Sequence, residues 1–137
     1  MRFLLDTNIV SEMRRRIRNP RLSHWIESVA PDDLWISALT LGEIVKGMEM
    51  VSRRDTAAAA ALGRWFDHLR AAFAQRTIGI DGAIAETWGR LAAIRPRPVV
   101  DGLLAATAIT HEVTLVTRNA RDFEGLGVGL LDPWSMP

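Results

Sequence analysis

Short apolar runs alternate with helix-patterned stretches along the whole chain, and that alternation limits the fold more than any other feature. Phe3-Leu4-Leu5, Leu34-Trp35-Ile36-Ser37, Thr77-Ile78-Gly79-Ile80 and Thr114-Leu115-Val116-Thr117 read as strands, with Val128-Gly129-Leu130-Leu131 a weaker one. They are nearly continuous in apolar residues, as strands buried on both faces are. Apolar residues at helical spacing fill the gaps: Ile9, Val10 and Met13; Leu22, Trp25, Ile26 and Val29; Ile44, Val45 and Met48. The same spacing returns in Leu62, Trp65, Phe66 and Leu69, in Ile84, Trp88 and Leu91, and in Leu104, Ala105 and Ala108. Strands that alternate with helices predict an α/β chain, a three-layer α/β/α sandwich on a central parallel sheet. The 137 residues suffice for a single domain over 1–137.

Local signals set the expected boundaries. Pro31 stops the second helix, and Asp55 and Asp81 read as N-caps. Thr40 reads as the N-cap of the third helix, with Glu43 completing a capping box. Arg95-Pro96-Arg97-Pro98 is a rigid connector, and Asp101 opens the helix after it. Gly125-Leu126-Gly127-Val128-Gly129 follows no strong strand and opens no helix, so it is not a nucleotide loop. The absence of cysteine excludes disulfides and thiolate zinc sites. With no signal peptide and no apolar stretch of membrane-spanning length, a cytoplasmic protein with no membrane partner is expected. A net charge of +1 argues against indiscriminate coating of nucleic acid.

Open parallel sheets bind ligands outside the carboxyl ends of their strands. Asp6 ends the first strand, Glu43 falls in the first turn after the second, and Asn119 and Asp122 follow the fourth. Asp101 joins them if the proline connector returns to that edge. Each pair of carboxylates about 5 Å apart costs roughly 3 kcal/mol at an effective dielectric near 20. Such a cluster persists only with a positive occupant. With one lysine, Lys46, and no cysteine or spaced histidine set, a hard divalent cation suits the oxygen donors. One or two Mg²⁺ or Mn²⁺ ions would activate water for phosphodiester hydrolysis. Asp6 and Asp101 are then the direct ligands. Glu43 and Asp122 hold waters or a second ion, and Glu43 is also a candidate general base. Thr7, Asn8, Ser37, Thr117 and Asn119 are expected to support the carboxylates or the phosphate. Arg14, Arg15, Arg16, Arg18, Lys46 and Arg118 are candidates for contact with an RNA backbone.

Taken singly, these residues have plainer readings. Asp6 or Asp101 alone is a helix cap, Glu43 half a capping box, and the run Arg14 to Arg18 a solvated loop. Trp25, Trp35, Trp65 and Trp88 lie at core spacing. His24, His68 and His111 have no metal-like spacing, and Met48 and Met50 are core residues before they are a partner surface.

Four segments carry a resemblance: Leu-Leu-Asp-Thr-Asn at the start, Ile-Ser-Ala-Leu-Thr-Leu-Gly-Glu-Ile, Val-Asp-Gly-Leu-Leu-Ala-Ala-Thr-Ala and Leu-Val-Thr-Arg-Asn-Ala-Arg-Asp-Phe. In that order they resemble the PIN-domain family, and within it the VapC-type toxins of bacterial toxin–antitoxin pairs. The resemblance spans essentially the whole chain. It implies an endoribonuclease dependent on Mg²⁺ or Mn²⁺, with Asp6, Glu43, Asp101 and Asp122 as the acidic metal site. It also implies a homodimer and a cognate VapB-like antitoxin that blocks the acidic pocket, often with an arginine. Other classes fit less well. A phosphatase or phosphotransferase needs a second aspartate where Asn8 stands, and a phospho-accepting receiver needs a lysine near the last strand. A non-catalytic binding module built on the alanine-rich helix predicts no metal binding.

Overall fold

The computed structural model describes residues 1–15 and 18–136. The first strand, β1 (Phe3–Leu5), is buried on both faces. Phe3 and Leu5 point into one core and Leu4 into the other, as the two-residue period of a strand requires. The remaining strands are β2 (Leu34–Ser37), β3 (Thr77–Ile78), β4 (Thr114–Val116) and β5 (Leu130–Leu131). All pairings are parallel, in the order β3-β2-β1-β4-β5. Helices α1 (Thr7–Met13), α2 (Pro20–Ser28), α3 (Ala38–Ser52) and α4 (Thr56–Ala72) supply the core on the Leu5 face, joined by Trp134 from the C-terminal segment. Helices α5 (Gly82–Ile94) and α6 (Val99–Thr110) supply the core on the Leu4 face. The expected three-layer α/β/α sandwich is therefore the observed one. Full burial of side chains such as Leu4, Leu5, Ile9 and Leu115 stabilises it by about 1.5–3 kcal/mol each.

Several boundaries differ from expectation. Strand β3 stops at Ile78, because its partner β2 ends at Ser37, opposite it, and turns into α3. Strand β5 is limited to Leu130–Leu131, next to a turn in which Gly125 and Gly127 hold φ near +80°. Helix α3 begins before Thr40. Ser37 is its N-cap, accepting from the Leu39 amide at 3.0 Å, so Thr40 and Glu43 form no capping box. Helix α6 begins at Val99, after Pro98, which leaves Asp101 in its first turn rather than at its cap. Asp55 and Asp81 are N-caps as expected, and Asp132 caps a 3-10 turn, Pro133–Ser135. Among the described residues no helix is long and apolar enough to cross a membrane.

Candidate active site

The sheet order places β1 at its centre, with β2 and β4 on either side. The chain leaves β1 toward β2 on one side and reaches β4 on the other, and a crevice opens at the carboxyl ends where such a switch occurs. Asp6 sits there, the first residue after β1, only 8% exposed. Its amide donates to the Val116 carbonyl at 2.9 Å, which extends the β1–β4 ladder by one residue. The carboxylate is both helix cap and buried acceptor. Oδ1 accepts from the Thr7 amide at 2.7 Å and Oδ2 from the Thr117 hydroxyl at 2.7 Å. The Asn119 amide donates to Thr117 Oγ1 at 3.0 Å, leaving the hydroxyl proton to Asp6.

Glu43 reaches the same crevice from α3, where the Thr7 hydroxyl donates to its Oε1 at 2.6 Å. Thr7 Oγ1 also lies 3.2 Å from the hydroxyl of fully buried Thr40, which explains a threonine inside α3. Asp101 approaches from the first turn of α6, so the proline connector does return to this edge. Asp6, Glu43 and Asp101 line one cavity of about 530 Å³, with Asn8, Asn119 and Trp134 among its walls.

The electrostatics are those of crowded acids. Burial pushes the Asp6 carboxyl above the usual aspartate range. The hydrogen bonds from Thr117 and Thr7 oppose that shift, and the charges of Glu43 and Asp122 add to it. Asp101 is also raised, by burial first and then by Asp6, Asp122 and Glu43. Asp122 is exposed on the 3-10 turn Ala120–Phe123 and does not line the cavity, yet its charge acts on both aspartates. Among the described residues none of these acids is ion-paired, and no three acidic or histidine side chains stand in ligating proximity.

The donor set nevertheless suits a hard divalent cation. It consists of carboxylate oxygens, and the buried Oδ1 of Asn8, on the same cavity wall, has no hydrogen-bond partner. Glu43 and Asp122 are exposed, Glu43 on the cavity wall and Asp122 beside it.

The remaining expected residues divide. Arg14, Arg15 and Arg118 line the cavity, and Arg15 is paired with Glu12 at 3.3 Å. Arg16 lies outside the described residues, and Arg18 is half-buried away from the cavity. Lys46 makes no ion pair with Glu43 and sits in an adjoining depression with Leu39, Gly42 and Val100. Ser37 caps α3 instead of facing the cavity, and Thr117 acts from beneath it through Asp6. Ser11, Glu12 and Trp134 were not anticipated on the cavity wall. Helical spacing from Thr7 and Asn8 points to Ser11 and Glu12. No local signal points to Trp134.

The description "PIN domain" belongs to the family model that matches residues 3–128. Toxin FitB of Neisseria gonorrhoeae is 28% identical over 138 aligned residues, covering 96% of this chain and 97% of FitB. The VapC ribonuclease Y4jK of Sinorhizobium fredii is 27% identical, covering 96% of each chain. The crystal structure of FitAcB from Neisseria gonorrhoeae superposes with a TM-score of 0.88 at 28% identity, covering 98% of this chain and 99% of that one.

Proposed function

The chain belongs to the PIN-domain family, and from that premise we propose that it is a metal-dependent endoribonuclease serving as the toxin of a toxin–antitoxin pair. One observation carries the reading: Asp6, Glu43 and Asp101 come from three separate elements to one cavity, and among the described residues no cation is paired to them. Similarity to a protein named a toxin and to one named a VapC ribonuclease supports it.

Asp6 and Asp101 would hold Mg²⁺ or Mn²⁺, one or two ions, with Glu43, Asp122 and the Asn8 amide oxygen completing the donors. Bound there, the ion lowers the pKa of water and polarises a phosphoryl oxygen. The protein's own groups do the positioning. Thr117 and the Thr7 amide fix both oxygens of Asp6. The Thr7 hydroxyl holds Glu43 with one carboxylate oxygen free to take a proton from the attacking water. Arg14 and Arg118 are cations on the cavity wall that meet the phosphates flanking the cut. The same acids offer a counter-charge to an arginine of a VapB-like antitoxin, which would block them. A homodimer in the cytoplasm completes the proposal.

The test is cleavage of structured RNAs by the antitoxin-free chain, in Mg²⁺ or Mn²⁺ against EDTA, beside Asp6→Asn. Metal-dependent cutting that falls at least a hundredfold in the variant is expected. Cutting that survives both EDTA and Asp6→Asn sinks the mechanism.

A further inference from the structure

Trp134 and Arg118 form one unit on the wall of the acidic cavity. The guanidinium carbon of Arg118 lies 5.1 Å from the centroid of the Trp134 ring, within cation–π range. Both residues line the cavity that holds Asp6 and Asp101. The tryptophan is fixed from behind. Its carbonyl accepts from Arg21 Nη1 at 2.7 Å, its amide donates to Asp132 Oδ1 at 2.9 Å, and it packs against the core on the Leu5 face. It nevertheless stays half-exposed, an apolar ring on a wall otherwise made of carboxylates, amides, hydroxyls and arginines. Core packing explains the buried part of the indole. It does not explain why the rest faces a polar cavity.

Arg118 completes the picture. It makes no ion pair among the described residues, although acids surround it. One flat face is engaged by the indole, and a guanidinium so stacked keeps its N–H groups at the edge, free for a phosphate oxygen. Next to it in the chain, Thr117 holds Asp6. The arginine that would grip a phosphate is thus tied through one residue to the acid that would cut, and through its face to an aromatic plate.

Resting on the nuclease reading, we infer that the exposed guanidinium plane of Arg118, backed and held flat by the Trp134 ring, is a stacking platform for one unpaired nucleobase beside the scissile phosphate. A base inside a duplex has both faces covered by its neighbours, so the substrate is single-stranded at that nucleotide. Stacking accepts any base, because every base has a π-face, so the platform selects strand state more than sequence. Trp134 and Arg118 are substrate-positioning residues in this role.

The test uses the full chain and an oligoribonucleotide whose cut site has been mapped, resynthesised with one abasic residue at each flanking position in turn. One abasic position is expected to raise KM roughly 10- to 100-fold with kcat little changed. Trp134→Phe keeps that discrimination. Trp134→Leu, which fills space without a π-face, raises KM for the intact strand to the abasic value and erases the difference. Trp134→Leu that is folded by its melting curve and still discriminates as wild type does would overturn the platform. If Trp134→Leu does not fold, wild type and Trp134→Phe decide by the abasic series alone, and a flat series overturns the platform. A wild-type chain that cuts no RNA with either metal removes the nuclease reading and the platform together. One that cuts but shows a flat abasic series removes the platform only.

Discussion

Asp101 accepts no hydrogen bond among the described residues, and the charges that act on it are those of Asp6, Asp122 and Glu43. Burial first, and then those charges, hold its folded carboxyl above the usual value of 3.8. A carboxyl raised in the folded state binds more protons there than in the unfolded state, so stability falls as pH rises through the folded pKa. At pH 7 the ionised group costs stability; below 3.8 both states are protonated and the cost is gone. Asp101→Asn should then raise the melting temperature of the metal-free protein at neutral pH, by on the order of a degree or two for a side chain this exposed. The gain should shrink to nothing as the pH is lowered toward 4. Saturating Mn²⁺ should reverse the order, since metal stabilises only a chain that binds it. A melting series over pH with and without Mn²⁺ checks both signs. Thr117→Val deletes the donor to a buried carboxylate and should cost about 1–3 kcal/mol in urea unfolding at pH 7. Asp6 and Asp101 were legible from the chain alone because they lie at a strand end and in a first helical turn, whereas Glu43, expected in the first turn of α3, lies in its second. Trp134 was not, because an interaction with Arg21 across the fold sets its place.

Helix α6 ends in a Schellman motif. The Val113 amide donates to the Ala108 carbonyl at 3.0 Å and the Glu112 amide to the Ile109 carbonyl at 3.2 Å. Glu112 takes the left-handed position of that motif with φ 54°, where glycine is usual. Glu112→Gly should stabilise the fold by up to about 1 kcal/mol, read as a higher urea midpoint with unchanged slope. Gly102, on the same helix, behaves oppositely. A Cβ there would lie 2.9 Å from Trp88 Cδ1, so α5 and α6 approach closely only because the position is bare. Gly102→Ala should cost about 1–3 kcal/mol, and a smaller residue at 88 should recover part of it in a double-mutant cycle. Helix existence was legible from apolar spacing throughout. The start of α3 was not, since Thr40 with Glu43 imitates a capping box while Ser37, at the end of a buried strand, does the capping. Thr40 and Glu43 are where they are for Thr7, a partner on another helix.

Across the whole molecule, alternation of strand and helix sufficed to foresee a parallel sheet, but not its order, since pairing of β1 with β4 leaves no mark in either segment. That order gathers acids at the switch point, with Arg14 and Arg118 on the same wall of a protein of net charge +1. On the proposed nuclease reading, RNA binding should accordingly weaken with salt. Arg14→Gln and Arg118→Gln should each reduce the slope of log affinity on log salt by about 0.7 for a single strand, measured by titration with Asp6→Asn to prevent cutting. The bond between Thr117 and Asp6 spans 111 positions of sequence. Synthesis runs from the N-terminus, and early segments emerge from the ribosome well before late ones. Asp6 is thus made well before its hydroxyl partner, its flanking strand β4 and the Trp134 wall. A nascent chain therefore carries Asp6 before it has the pocket that surrounds it.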